Sequence, residues 1–324
     1  MSKNIALIDG NNFYASCEQM IDPSLAGNPL VVLSNNDGCI ISRSPEAREL
    51  NIPMGIPYFK VNHTLEQLGV KVLSSNYSLY GDMSLRLMNL LQNHCEELEI
   101  YSIDEAFAKL SFSHEDNLDF WAHKLRELIY RDLGISIAIG IGRNKVQAKL
   151  ANYLAKNVAS NVGIFNLAAI DDKDKVLELI NIENIWGIGK RLSQWLRIQG
   201  VTNAKQLRDM PKNKLQAKCG VVGIRLQKEL HGEICMKFIA TPPKKKETCV
   251  SRSFGRAITT KEELRQAIAS HVVVASQKLR KQQQRAGAIS VFTRTSSHSS
   301  TFYSRAANRK LNVPSNDTNI LLKI

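Results

Sequence analysis

An α+β fold followed by a separate basic unit is what three observations predict. Short apolar runs, at Ile5-Ala6-Leu7-Ile8 and at Ile135, Ile137, Ile139 and Ile141, read as strands. After Gly163 the pattern turns helical. The charge is also uneven: residues 1–235 carry 26 Lys and Arg against 26 Asp and Glu, whereas residues 236–324 carry 17 against 4. The C-terminal quarter therefore holds the whole net charge of +13. A solvated face is the plain reading of any charge run, but this concentration is better matched by a polyanion. Nucleic acid is favoured over membrane, because no exposed apolar face accompanies the charge.

At 324 residues the chain is long enough for two or more units and a substantial core. It has no apolar run of the roughly 18 residues that a membrane span needs. Its N-terminus lacks a basic-then-apolar signal pattern, so a cytoplasmic location is expected. Six cysteines (Cys17, Cys39, Cys95, Cys219, Cys235, Cys249) never form a C-x-x-C pair. Reduced thiols are expected in preference to a zinc site.

The first 20 residues read as strand, turn and helix start. Residues 21–76, with Pro23, Pro29, Pro45, Pro53 and Pro57, read as a small inserted lobe. Leu85, Met88 and Leu91, with Leu87 and Leu90, recur at helical spacing, and Ile135 to Ile141 alternate with smaller residues as a half-buried strand. Trp186-Gly187-Ile188-Gly189, followed by Leu192, Trp195, Leu196 and Gly200, is either a plain helical turn or a helix-hairpin-helix. In the second case its free backbone N–H groups can hold a DNA phosphate. Cys219-Gly220-Val221-Val222-Gly223-Ile224-Arg225 is a looser second copy. Thr241-Pro242-Pro243-Lys244-Lys245-Lys246 reads as a linker, since prolines stop regular structure and lysines repel. Thr260-x-x-Glu263 is a capping box opening a helix with the apolar line Leu264, Ile268, Val272, Ala275 and Leu279, and Ala288 to Thr295 then alternate as a strand.

The chemistry concentrates in Asp9, which closes the first apolar run, and in the pair Asp104-Glu105. Carboxylates delivered by strand-like segments far apart in sequence can hold divalent cations against a polyphosphate. Adjacent strand residues point to opposite faces, so Asp104 and Glu105 share a site only at a strand end or turn, and a hairpin tip is expected. The plain alternative is a solvated Asp-Glu pair.

Asp9-Gly10-Asn11-Asn12-Phe13-Tyr14-Ala15-Ser16-Cys17-Glu18, with Ser102-Ile103-Asp104-Glu105-Ala106-Phe107, closely resembles the Y-family translesion DNA polymerases of the UmuC type, the catalytic subunit of a DNA polymerase V. Leu33-Ser34-Asn35-Asn36-Asp37-Gly38-Cys39, Ser74-Ser75-Asn76-Tyr77, Asn184-Ile185-Trp186-Gly187-Ile188-Gly189 and Ser251-Arg252-Ser253-Phe254-Gly255 carry the same resemblance over nearly the whole chain. It implies a right-hand polymerase: palm at 1–20 and 77–165, fingers at 21–76, thumb at 166–240, linker at 241–247 and a partial little finger at 248–324. It also implies low-fidelity, template-directed synthesis in SOS repair with two Mg²⁺ ions. Asp9, Asp104 and Glu105 are then the catalytic metal ligands, with the carbonyl of Gly10 as a further donor.

By the same resemblance, Tyr14 is a steric gate against a 2′-hydroxyl, with core packing as the plain alternative, and Phe13 packs near the sugar. Ile41 is expected in the roof over the nascent pair, and Arg48 and Lys156 on the triphosphate. Pro45 stands where many relatives have a tyrosine, so Ser42 or Ser44 is expected to supply part of the missing contact. Lys145, Lys149 and Lys156 share one helical face; exposure is expected for the first two and a phosphate contact for the third. Gly187, Gly189, Lys190, Lys244, Lys245, Arg252, Arg256 and Arg294 are the expected DNA contacts. The implied partners are primer-template DNA, dNTP, a UmuD′-type accessory subunit and a RecA filament. The chain ends at Ile324, before the family's second little-finger helix and final strand, and lacks a Gln-Leu-x-Leu-Phe-like segment, so a shortened protein without sliding-clamp binding is expected. A non-catalytic DNA-binding protein is the alternative. A nucleotide cyclase is disfavoured, having no use for paired hairpin turns or a basic C-terminal unit.

Overall fold

A computed structural model describes residues 4–110, 116–158, 163–295 and 302–324. The chain divides into two compact units, one ending at Pro242 and the other running from Pro243 to Ile324. The division falls between the two prolines of the 241–247 segment.

In the first unit, β1 (Asn4–Gly10) turns directly into α1 (Phe13–Ile21). Asn12 makes that turn at a φ of 49°, a left-handed conformation that asparagine tolerates better than most residues. A small lobe follows, built from β2 (Leu30–Leu33), β3 (Ile40–Arg43), α2 (Pro45–Glu49), α3 (Asn62–Gln67) and β4 (Lys71–Ser74). Its sheet has the order β3-β2-β4 and closes over its own core, which includes Val31, Leu33, Ile40 and Leu65.

The chain then forms α4 (Tyr77–His94), β5 (Glu97–Ile100), β6 (Glu105–Leu110), α5 (Asp116–Leu133), β7 (Ile137–Gly142), α6 (Lys145–Asn157) and β8 (Ile164–Asn166). Five strands make a sheet of order β5-β6-β1-β7-β8, with β1 antiparallel to both neighbours. Period-two alternation divides its faces. Ala6, Ile8, Ala106, Ala108, Ile137, Ile139 and Ile141 point into a core shared with α4 and α5. Ile5, Leu7 and Phe107 point the other way, against Ala148 of α6. Asp9 and Glu105 continue that second face.

Two sequence expectations are corrected here. On α4 the buried stripe is Tyr80, Met83, Leu87, Met88 and Leu91, while Leu85 is 60% exposed. A helix lying on one face of a sheet buries one narrow stripe, and the register of that stripe is set by the cap at Asn76. β7 is not half-buried: all six of its residues are buried, because helices cover it on both sides. Its second face carries only Ala138, Gly140 and Gly142. A Cβ on Gly142 would lie 2.6 Å from the Gln147 Cβ and 2.7 Å from the Ala148 nitrogen, and one on Gly140 would lie 2.5 Å from the Ala148 carbonyl oxygen. Glycine at both positions is what lets α6 approach the sheet this closely.

Val146, Leu150 and Leu154 on the far side of α6 enter a second core with the helical region, α7 (Lys173–Glu178), α8 (Lys190–Ile198), α9 (Ala204–Asp209) and α10 (Lys212–Leu230). Gly187, at a φ of 90°, turns the chain into α8, and Gly220, at 59°, breaks α10 in two. Both hairpin-like copies in the sequence are thus glycine-made breaks between helical segments.

The second unit contains α11 (Lys261–Lys281), β9 (Ala286–Arg294), β10 (Ser304–Ser315) and α12 (Thr318–Lys323), with β9 and β10 antiparallel. The Thr260 cap of the predicted box forms: its Oγ1 accepts from the Glu263 N–H at 3.2 Å and donates to the Glu263 carboxylate at 3.1 Å. Helix α12 corrects the expectation that the chain stops short of a second helix. Asp317 caps it by accepting from the Ile320 N–H at 2.9 Å, and Leu321 buries itself. No helix among the described residues is long and apolar enough to cross a membrane.

Gly140→Ala should cost about 1–3 kcal/mol of stability, the usual range for overpacking, because the atoms it strikes are α6 backbone and cannot rotate away. Denaturant unfolding reads this directly. A variant as stable as the parent would show that α6 has room to move off the sheet.

Candidate active site

Antiparallel pairing sets Asp9 directly opposite Glu105. Such cross-strand neighbours have Cβ atoms about 4.5–5.5 Å apart. Asp104 is the last residue of the turn between β5 and β6, and its carbonyl accepts from the Gly10 N–H at 2.9 Å, closing the turn over the end of β1. Asp104 and Glu105 therefore do lie at a hairpin tip. Ser102 organises that tip: its hydroxyl lies 2.7 Å from Asp104 Oδ1 and 3.3 Å from Glu105 Oε2, and accepts from the Glu105 N–H at 3.1 Å.

Helix α6 lays three lysines across the acidic face. Lys156 Nζ lies 2.5 Å from Asp9 Oδ1, and Lys149 Nζ lies 2.7 Å from Glu105 Oε1. Lys145 Nζ donates to Glu99 Oε1 at 2.6 Å and to the Lys237 carbonyl at 2.8 Å. This overturns the exposure expected for Lys145 and Lys149, whose side chains are 6% and 17% exposed. The lysine face of α6 meets the carboxylate face of the sheet, and each ammonium finds an acid. Lys149 is also held over the Tyr101 ring at 4.5 Å and the Trp186 ring at 5.7 Å. Trp186 belongs to the glycine turn ahead of α8, so that turn is packed against the carboxylate cluster.

The electrostatics separate the two paired acids. Burial pushes the Asp9 carboxyl up to about 7, the nearby charges of Glu105 and Asp104 add to the rise, and Lys156 opposes it without prevailing. Burial acts the same way on Glu105, but the hydrogen bond and charge of Lys149, with a hydrogen bond from Asp9, outweigh it and hold Glu105 below the usual carboxylate range. A raised Asp9 beside a second carboxylate marks a place with surplus negative charge. The donors are hard oxygens of the type that Mg²⁺ takes. Among the described residues no three acidic, His or Cys side chains close around one point, because Asp9 and Glu105 turn toward their lysines and Asp104 toward Ser102. The residues fit a divalent cation in chemistry and charge, and their side chains rest on internal partners.

Around this cluster, Phe13 is buried, with Cδ2 2.9 Å from where a Cβ on Gly10 would stand, so Gly10 makes room for the ring. The half-buried Tyr14 stacks on Tyr80. Ile41 packs against the main core. Arg48 Nη2 donates to Asn157 Oδ1 at 2.7 Å, which brings the small lobe to the end of α6 beside Lys156. Ser42 and Ser44 are corrected. Ser42 donates to the Asn12 carbonyl at 3.2 Å and accepts from the Ala15 N–H at 3.1 Å. Ser44 donates to the Asn28 carbonyl at 3.1 Å and caps α2. Both hydroxyl protons are committed to the backbone, leaving neither serine a donor for phosphate.

Gly187, Gly189 and Lys190 are exposed at the start of α8, and Lys244, Lys245, Arg252 and Arg294 are exposed on the second unit. Arg256 is exposed too but is paired with Glu263. Sequence reading missed Lys149, Ser102 as an organising hydroxyl, and Trp186 as a site neighbour. The first was hidden because helical period alone does not show what a face meets.

A mixed sheet with carboxylates at one strand pair, a small lobe inserted after α1 and a helical region with glycine turns defines a polymerase hand. The solved structures agree on the fold. A chimeric Y-family DNA polymerase built on Dbh superposes with a TM-score of 0.73 over 99% of this chain and 93% of that one, at 19% identity. DinB from Sulfolobus solfataricus superposes with a TM-score of 0.60 over 99% and 93%, at 21% identity. The chain belongs to the impB/mucB/samB family: residues 8–153 match that family and residues 245–324 match its C-terminal domain. It is 40% identical over 318 residues to Protein UmuC of Salmonella typhimurium, covering 97% of this chain and 75% of that protein. It is 36% identical over 324 residues to Protein MucB of Escherichia coli, covering 98% and 76%. With DNA polymerase IV of Picrophilus torridus it shares 31% identity over 266 residues, covering 81% and 73%.

A cation that took Asp9 as a ligand would have to displace the proton that burial lets it hold up to about pH 7. Mg²⁺ affinity of the protein alone should therefore strengthen as pH rises through about 7 and level off above, with proton release on binding in the lower range. Calorimetric titration between about pH 6 and pH 8 reads both. Affinity that does not change over this range would remove Asp9 from the ligand set.

Proposed function

We propose that this chain is a template-directed, Mg²⁺-dependent DNA polymerase acting in SOS translesion synthesis. The observation that carries the reading is the pairing of Asp9 with Glu105 beside Asp104, under the lysines of α6. Asp9, Asp104, Glu105 and the Gly10 carbonyl would hold two Mg²⁺ ions. Bound there, these would lower the pKa of the primer hydroxyl and neutralise charge on the leaving pyrophosphate.

The protein's own groups do the rest. Lys156, on the last turn of α6, and Arg48, bonded to Asn157 at its end, offset the charge of an incoming triphosphate. Tyr14 excludes a 2′-hydroxyl by clash, and Ile41 lies over the nascent pair. Residues 1–20 and 77–165 act as palm, 21–76 as fingers, 166–240 as thumb and 248–324 as a little finger. The turn Gly187-Ile188-Gly189 with Lys190 holds a backbone phosphate, and Lys244, Lys245, Arg252 and Arg294 grip the duplex. A UmuD′-type subunit and a RecA filament are the partners that this family membership implies.

Asp104→Ala should lower single-nucleotide addition roughly a hundredfold or more while leaving primer-template affinity nearly unchanged, since it removes a metal ligand and no phosphate contact. Extension near the parent rate would refute the assigned metal site.

Removing Pro243–Ile324 takes away 16 Lys and Arg against 4 Asp and Glu. DNA affinity should fall, and its salt dependence should flatten by roughly 0.9 in log-log slope for each lost phosphate contact. Equal slopes for the two proteins would reduce the basic unit to a solvated surface.

A further inference from the structure

The residue that faces Tyr14 has no part in the function described above, and its surroundings are unusually specific. Tyr80 is fully buried at 0% exposure, so it touches no substrate. Its ring lies parallel to that of Tyr14, with centroids 4.4 Å apart and 17° between planes. Its hydroxyl donates to Glu18 Oε1 at 2.6 Å. Glu18 stands one helical turn after Tyr14 on α1 and therefore on the same face. Tyr77, one turn before Tyr80 on α4, meets both rings edge-on, at 6.1 Å from Tyr14 and 6.0 Å from Tyr80. The motif Ser74-Ser75-Asn76-Tyr77 acquires a purpose here. The Asn76 side chain caps α4 by accepting from the Leu79 N–H at 3.1 Å, and that start point sets which residues of α4 face α1.

We infer that Tyr80, anchored by Glu18, is a positioning residue that fixes the plane of the Tyr14 ring and so determines how strictly ribonucleotides are excluded. The inference rests on reading Tyr14 as the sugar gate. A gate that works by clash must be stiff, because a ring free to swing aside lets the 2′-hydroxyl in at little cost. Tyr14 is only partly buried, and of the three rings that meet it, Phe13 and Tyr77 lie at 6.1 Å and steeply inclined, so the parallel Tyr80 at 4.4 Å is the contact that holds its plane. The Glu18 bond matters because it ties the supporting ring to the helix that carries the gate, so the two rings keep their relation if α1 and α4 shift. A buried Tyr80 that merely fills the core would make no such demand on the angle of its neighbour.

The test is single-nucleotide incorporation of matched dNTP and rNTP on a primer-template, scored as the ratio of kcat/KM values. An aromatic pair contributes about 0.5–1.5 kcal/mol beyond its buried area. At about 1.4 kcal/mol per tenfold, Tyr80→Leu should therefore reduce discrimination roughly two- to twelvefold. Its dNTP kcat/KM should change less than the ratio does. Tyr80→Phe keeps the ring and should restore most of the discrimination. Glu18→Ala lies at the surface end of the contact and should lower the ratio by a smaller factor, and it decides the matter if Tyr80→Leu does not fold. In a Tyr14→Ala background, Tyr80→Leu should add nothing further. An unchanged ratio in Tyr80→Leu, or in Glu18→Ala where only that variant folds, overturns the inference. So does a Tyr80→Leu effect that persists without the Tyr14 ring. If Tyr14→Ala itself leaves sugar discrimination intact, the gate reading fails first, and that result is distinct from either.

Discussion

Antiparallel pairing of β1 with β6 places two carboxylates opposite each other on a buried face, and most of the unit's architecture answers the electrostatic consequence. Desolvating a charge costs several kcal/mol unless a partner offsets it. The neighbours supply partners from one helix: Lys145, Lys149 and Lys156 of α6 reach Glu99, Glu105 and Asp9. For α6 to lie close enough, β7 must present no side chain at positions 140 and 142, which glycine at both secures. Register, glycine placement and lysine spacing are thus one solution to one problem.

The same arrangement leaves the cluster under-neutralised where chemistry is needed. Glu105 is fully countered by Lys149 and stays ionised, whereas Asp9 keeps affinity for a proton in spite of Lys156. Asp9 is thus the position at which an arriving cation gains most. Lys149 has a further link, since its ammonium lies over the rings of Tyr101 and of Trp186 in the glycine turn. Trp186 in turn meets Tyr101 edge-on at 5.6 Å. The turn proposed to present backbone N–H groups to a phosphate is thereby joined, through Lys149, to Glu105 of the proposed cation site.

Much of this was legible in residues. Period-two reasoning located Asp104 and Glu105 at a hairpin tip, because adjacent strand residues share a site nowhere else, and Thr260 caps α11 as its spacing demands. Helical period showed that three lysines shared a face of α6 but not what the face would meet, and the plain guess of solvent was wrong. Glycine in β7 read as a small spacer in an alternating strand, because the close approach of α6 comes from elements distant in sequence. Ser42 and Ser44 misled for a related reason: a hydroxyl near a functional motif looks available until the backbone groups that claim its proton are known. Helix α12 is six residues long, too short to show a period, and is fixed by the Asp317 cap and by Leu321.

Charge divides the two units by physical regime. Through Pro242 the chain holds 27 Lys and Arg against 26 Asp and Glu, and its functional charges are buried in close pairs. From Pro243 the balance is 16 against 4, so even complete pairing would leave most cations without an acid. Buried pairs are screened little by salt, whereas exposed charges are screened beyond about 8–10 Å at physiological ionic strength. Under the proposed division of roles, rising salt would therefore weaken a DNA grip made by the second unit while leaving the geometry of the carboxylate cluster in place. An enzyme built this way separates how long it stays on a template from how it selects and joins a nucleotide, and each can change in evolution without disturbing the other.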